Sequence, residues 1–146
     1  MKYIAYGSNM NLEQMAHRCP TAKLVGKSIL HGYELNFRGR TGNCHATIDK
    51  KLYSQVPVVI WEIDKECEKS LDRYEGYPTY YRKEFVRVDN EYMMVYIMNG
   101  GFIGYPSGYY LDVIANGYEA NGIDLAPLED AIGRVMDHVG PELIAK

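Results

Sequence analysis

Apolar and polar positions change period several times along the chain, and each change marks an element. Tyr3 to Tyr6 is a short apolar run that breaks at Gly7-Ser8-Asn9, which predicts a strand and a turn. Asn11 follows as a helix N-cap with Gln14 at the capping-box position, and Pro20 stops that helix. From His31 to Arg38 the pattern alternates. Tyr33, Leu35 and Phe37 face one way and Glu34, Asn36 and Arg38 the other, a half-buried strand. Gly39 to Cys44 reads as a loop. Val56 to Ile63 is almost continuously apolar and β-branched, which predicts a central strand with Pro57 tolerated near its start.

Asp64 opens a helix that runs to about Tyr74, with Cys67, Leu71 and Tyr74 on one stripe and Gly76 and Pro78 closing it. Arg82–Val88 and Tyr92–Met98 flank Asp89-Asn90-Glu91 as a hairpin. Asn99 to Gly108 is loop, and Ser107 caps a helix from about Tyr109 to Asn116. A last helix starts after Asp124, with Pro127 in its first turn and Leu128, Ile132, Val135 and Val139 as its apolar face. The order β-α-β-β-α-β-β-α-α gives an α+β class with a curled, largely antiparallel sheet. No repeat or linker divides residues 1–146, so one domain is expected.

Composition changes this picture in one respect. The 47% hydrophobic and 24% charged shares are ordinary and exclude a disordered chain. The aromatic residues are skewed, with 14 Tyr against 3 Phe and 1 Trp. Tyr joins a large apolar ring to a hydroxyl that needs a partner when buried. The excess fits either surface hydroxyls or the lining of a polar cavity. A net charge of −3 gives no basis for a nucleic-acid or anionic-membrane partner. No apolar run approaches the ~18–20 residues of a bilayer span, and the N-terminal apolar stretch is too short for a signal peptide. Cys19, Cys44 and Cys67 are odd in number, widely spaced and free of any CxxC pair, so free thiols in a reduced cytoplasmic setting are expected.

Several chemistries find no motif. His17, His31, His45 and His138 are scattered, and adjacent Cys44 and His45 point to opposite faces of a strand, so no metal site is expected. Gly39-Arg40-Thr41-Gly42 is too short for a phosphate-binding loop. Ser8 is not inside GxSxG, and Cys19 sits at the wrong end of its helix to be an activated nucleophile.

Two segments carry chemistry. Tyr6-Gly7-Ser8-Asn9-Met10 runs from a strand through a turn into a helix start, which frees backbone N–H groups for a carboxylate or an oxyanion. The same residues also make an ordinary strand-to-helix turn. Leu71-Asp72-Arg73-Tyr74-Glu75-Gly76 closes the helix that follows the central strand. Glu75 stands at the negative end of that helix, and partial burial there pushes a carboxyl pKa up toward what a proton shuttle at neutral pH needs. A single Glu is equally at home as a solvated surface group.

Together these blocks resemble the γ-glutamylcyclotransferase-like proteins, the group that includes plant AIG2-like proteins and bacterial γ-glutamyl cyclotransferases of antibiotic pathways. Tyr6-Gly7-Ser8-Asn9-Met10 is similar to the family's YGSN loop. Val59-Ile60-Trp61-Glu62-Ile63 with Leu71-Asp72-Arg73-Tyr74-Glu75-Gly76 is similar to its strand and Glu-containing helix end. Pro106-Ser107-Gly108-Tyr109-Tyr110-Leu111, with Ile114 and Gly117, is similar to its late helix start.

The resemblance implies a curled mixed sheet or barrel that encloses a cavity, with flanking helices. It implies cyclisation of a γ-glutamyl group, an acyltransferase or lyase type of reaction. The substrate α-amine attacks its own side-chain amide carbonyl, releasing 5-oxoproline and a free amine or amino acid. Carried over, Glu75 is the catalytic acid/base, Tyr6, Gly7, Ser8, Asn9, Met10 and Asn11 form the substrate-binding loop, and Tyr96 and Tyr110 line the pocket. No cofactor or metal is implied. The expected partner is a small γ-glutamyl amine, peptide or γ-glutamyl-tagged metabolite, with no nucleic acid and no membrane. The expected rim is Arg38–Cys44, Tyr77–Tyr81 and Asn99–Gly108, and nine tyrosines (6, 74, 77, 80, 81, 96, 105, 109 and 110) fall in or beside the pocket segments. A non-catalytic binding module of the same fold, or a different acyl-transfer enzyme, are the alternatives.

Overall fold

The computed structural model describes residues 1–40 and 43–141. Six strands form one sheet in the order β4-β5-β1-β3-β2-β6. Strand β1 (Lys2–Ala5) lies between β3 (Asn43–Glu62) and β5 (Glu91–Met98), antiparallel to the first and parallel to the second. All other pairs are antiparallel. The sheet is therefore mixed, and it curls. Tyr81 at the start of β4 (Tyr81–Val88) donates its hydroxyl hydrogen to Ala46 O of β3 at 2.6 Å, and Met98 N at the end of β5 donates to Thr47 Oγ1 at 3.0 Å.

The 39–44 loop and the two short strands flanking it need correction. His31–Arg38 is part of β2, which spans Lys23–Arg40, and Val56–Ile63 overlaps the end of β3. The two pair from Lys23↔Glu62 to Arg40↔Asn43 as one long hairpin, and the remaining residues of the expected loop, Thr41 and Gly42, lie outside the described residues. Cys44, Ala46 and Ile48 alternate as buried positions of β3, but Cys and Ala give a weak hydrophobic signal and Thr47 is buried on the other face. Gly32 opposes the four residues 51–54 where the register shifts, and Tyr53 there has φ 67°. A short strand, β6 (Phe102–Ile103), sits inside the expected 99–108 loop and pairs with the end of β2.

The β4–β5 hairpin turns at Asp89-Asn90, both at positive φ, as a two-residue primed turn requires. Helix α1 (Leu12–Arg18) is capped by Asn11, whose Oδ1 accepts from Gln14 N at 3.0 Å. Helix α2 (Lys65–Glu75) is capped by Asp64 and ends at Gly76 in the left-handed conformation, φ 65°. Helices α3 (Gly108–Ala120) and α4 (Ala126–Val139) follow, the first capped by Ser107. A core of buried residues from all the longer strands and all four helices packs around Ile4, Phe37, Val58, Leu71, Met94 and Ile114. No helix among the described residues is long and apolar enough to cross a membrane.

The expectation of three free thiols is also corrected. Cys19, the C-cap of α1, and Cys67, in the first turn of α2, form a disulfide across 48 positions of sequence. Cys44 alone is free, and it is buried. Motif spacing reveals close pairs, whereas these two meet because the chain goes out through the β2–β3 hairpin and returns. The cytoplasmic expectation rested on the thiols and loses that support.

Candidate active site

The binding-loop segment follows β1 as a single 3-10 turn, Ser8–Met10, and the protein holds it from every side. Asn9 is the centre of this hold. Its Nδ2 donates to the Tyr3 hydroxyl at 2.9 Å, its Oδ1 accepts from Arg18 Nη1 at 2.6 Å, and its carbonyl accepts from Trp61 Nε1 at 3.0 Å. From behind, α3 grips the next two residues. Asn121 Nδ2 donates to Met10 O at 2.9 Å and Asn11 Nδ2 to Val113 O at 3.0 Å. Gly117 permits this approach, because a Cβ there would stand 2.8 Å from Asn11 N and from the Met10 carbonyl carbon. Gly7 is needed on the inner side, where a Cβ would meet Ala46 Cβ at 3.1 Å and the Tyr110 hydroxyl at 3.5 Å. Among the described residues, the N–H groups of Gly7, Ser8 and Asn9 find no backbone acceptor.

In front of this turn is a cavity of about 140 Å³. Tyr6, Gly7, Ser8, Asn9, Glu75, Tyr96 and Tyr110 line it together. Met10 and Asn11 do not. Met10 is fully buried in the core, and the Asn11 side chain is spent on capping α1 and holding α3. Six of the nine expected tyrosines reach the cavity (6, 74, 80, 81, 96 and 110), while Tyr77, Tyr105 and Tyr109 do not.

Most of the cavity hydroxyls are committed to the protein. Tyr6 donates to Tyr96 O at 2.6 Å, Tyr81 to Ala46 O at 2.6 Å, and Tyr96 to Asp72 Oδ1 at 2.6 Å. The Tyr74 hydroxyl and Ser8 Oγ bond each other at 3.1 Å. Tyr110, delivered by the first turn of α3, accepts from Ala46 N at 3.0 Å and keeps its own proton to give. Burial holds the phenols of Tyr6, Tyr81, Tyr96 and Tyr110 above their ordinary value, so they stay neutral. The tyrosine excess therefore supplies chiefly rings and a fixed framework to the cavity.

Glu75 differs from all of these. It is the last residue of α2, and no donor among the described residues hydrogen-bonds its carboxylate. The residue keeps some surface accessible, as a group lining an open cavity must, yet the surrounding protein excludes bulk water from the carboxyl. Burial pushes its pKa up to about 7, and the positive charge of Arg18 moderates the rise. The Arg18 guanidinium stacks 3.5 Å over the Tyr74 ring while bonding Asn9, which ties the loop to the end of α2.

Sequence reasoning missed Tyr3, His45 and Arg18. His45 Nδ1 is 2.9 Å from the Tyr80 hydroxyl, and burial lowers the imidazole pKa, so the ring is neutral at pH 7. Buried positions at Cys44, Ala46 and Ile48 put His45 on the other face of its strand, but nothing local says that a cavity lies there. Other chemistries find little here. Ser8 is paired with a phenol, burial pushes the Cys44 thiol up, and no group of three His, Cys, Asp or Glu among the described residues is arranged to hold a metal.

Comparison with known proteins identifies the family and agrees with the fold. The model for the family "Gamma-glutamyl cyclotransferase, AIG2-like" matches residues 3–112. The chain is 29% identical to human gamma-glutamylcyclotransferase, covering 84% of this chain and 72% of that protein, and 30% identical to the mouse protein, covering 83% and 71%. A solved structure of a gamma-glutamyl cyclotransferase superposes with a TM-score of 0.80 at 26% identity, covering 100% of this chain and 92% of the other.

Proposed function

The chain belongs to the AIG2-like γ-glutamyl cyclotransferase family, and we propose that it is an active cyclotransferase whose acid/base is Glu75. The observation that carries this reading is the single unpaired carboxyl, with a pKa of about 7, in a cavity that also presents the free N–H groups of Gly7, Ser8 and Asn9.

The γ-glutamyl head of a small amine, peptide or tagged metabolite occupies the closed end. Ring closure is intramolecular, so holding the head folded supplies much of the rate. The α-amine has a reference pKa near ~8 and arrives largely protonated. Ionised Glu75 first takes one proton from the ammonium and passes it to solvent, which frees the lone pair. It then takes the second proton from this nitrogen as the neutral amine attacks the side-chain carbonyl carbon. A C–N bond forms and the carbonyl π electrons move to oxygen. The N–H groups of Gly7, Ser8 and Asn9 and the Tyr110 hydroxyl bind the oxyanion or the substrate carboxylate. The oxyanion then collapses, the bond to the leaving nitrogen breaks, and Glu75 returns its proton to that nitrogen. The products are 5-oxoproline and a free amine or amino acid, with no net proton change at Glu75.

The test is chromatographic detection of 5-oxoproline from a panel of γ-glutamyl amines, dipeptides and tagged metabolites. Wild type is expected to release it from at least one, and Glu75→Gln to lose roughly 10³-fold or more of kcat while keeping the fold. Binding without turnover by wild type would overturn the enzyme reading in favour of a binding module.

A further inference from the structure

The cavity has a closed end and an open end. Tyr3, Tyr6, Asn9 and Tyr96 at the closed end are buried. Two lining residues are substantially exposed, Tyr74 at 43% and Tyr80 at 38%. Their surroundings differ. The Tyr74 side is shut by the bond to Ser8 and by Arg18 stacked over the ring. Tyr80 bonds only His45 among the described side chains, and its hydroxyl stands 3.1 Å from where a Cβ on Gly39 would be. The way out therefore passes His45 and Tyr80.

The closed end is walled by the buried side chains of Tyr3, Tyr6, Asn9 and Tyr96, so a γ-glutamyl head seated there runs toward the open end. The leaving portion must lie across the mouth. We infer that the His45–Tyr80 pair is the leaving-side specificity site, gripping a hydrogen-bond acceptor that the leaving group carries beside the scissile nitrogen. This rests on the cyclotransferase reading of the cavity.

The chemistry of the pair sets which leaving groups fit. A neutral imidazole and a phenol share one hydrogen bond through Nδ1. If Tyr80 donates to Nδ1, His45 presents Nε2–H. If Nδ1–H donates to Tyr80, the phenol O–H is presented instead. Either tautomer offers a proton donor. A carboxylate or carbonyl fits this mouth, and a bare alkyl or cationic amine does not. His45 stacks edge-on against Tyr110 with centroids 4.9 Å apart, which fixes the ring orientation.

The test compares binding of γ-glutamylglycine and γ-glutamylmethylamide, which differ by the leaving-side carboxylate. Calorimetry on Glu75→Gln, which does not consume them, is expected to show at least tenfold tighter binding of the glycine conjugate. Adding His45→Leu is expected to weaken that conjugate about tenfold and the methylamide less than threefold. Tyr80→Phe acts in the same direction and serves if the His45 variant loses its native circular dichroism. Equal binding of the two ligands, or equal weakening of both by these substitutions, overturns the pair as a specificity site. Release of 5-oxoproline from the full panel decides the cyclotransferase reading separately, and the binding comparison decides the pair. No binding of either ligand overturns the pair as a specificity site.

Discussion

The two sides of the cavity are built on opposite rules. On the loop side the side chains and carbonyls are spent on structure, which leaves the N–H groups of Gly7, Ser8 and Asn9 without a backbone acceptor among the described residues: Asn9 is held by Tyr3, Arg18 and Trp61, Met10 by Asn121, and Asn11 is tied to Val113. At the end of α2, Glu75 has no hydrogen-bond donor among the described residues and is raised to a pKa of about 7. The fixed side orients without reacting. The unsatisfied side stores a cost in the resting protein that a proton-transferring group can use. Pre-organisation and reactivity are thus divided between two segments 66 positions apart, as the Ser8–Tyr74 bond measures.

The sharpest way to break this division is to disturb the fixed side. Gly7→Ala would press a methyl against Ala46 and the Tyr110 hydroxyl and shift the turn. A displacement of this kind is expected to cost on the order of 10²-fold in kcat/KM with little change in global stability. Unaltered kinetics in that variant would show that the turn does not orient the substrate.

Arg18→Met removes the bridge between the sides. Asn9 loses a charged donor, and Glu75 loses the cation that holds its pKa down. A drop of about tenfold in kcat/KM is expected, together with an acid limb displaced to higher pH. A loss of rate with the limb unmoved would mean that Arg18 acts on the loop alone.

The cost stored at Glu75 has a signature in stability. Its pKa rises from 4.5 unfolded to about 7 folded. Between those values the folded state binds a proton that the unfolded state releases, so stability falls as pH rises through that window and stays lower above it. Glu75→Gln carries no charge to bury. At pH 8 it is expected to be about 1–3 kcal/mol more stable than wild type, and at pH 4 nearly equal. Thermal melts at the two pH values read this difference, and a variant less stable than wild type at pH 8 would contradict it.

Much of this comparison was legible in the sequence because its two ends are local. Gly7-Ser8-Asn9 after a strand and Glu75-Gly76 after an amphipathic helix are contiguous signals, and Gly76 at φ 65° is the helix stop that Gly predicts. What escaped reading depends on chain return. Tyr3 and Tyr96 meet because β1 and β5 pair in parallel, Arg18 reaches Tyr74 because α1 and α2 are joined at Cys19–Cys67, and His45 meets Tyr80 because the sheet curls. Asn11 misled for a related reason: it belongs to the contiguous loop, yet its side chain turns to cap α1 and hold α3. Local pattern identifies a turn or a cap, but only long-range pairing decides which face of it meets a cavity.

The central claim is that Glu75 is the cavity carboxyl that burial leaves without a hydrogen-bond donor among the described residues, and so titrates where it can shuttle a proton. The most direct test is an NMR pH titration of the ¹³C-labelled Glu75 carboxyl, assigned by its loss in Glu75→Gln. A midpoint at about 7, coincident with the acid limb of kcat/KM for 5-oxoproline release, is the predicted result. A midpoint at or below the ordinary Glu value of 4.5 would contradict it.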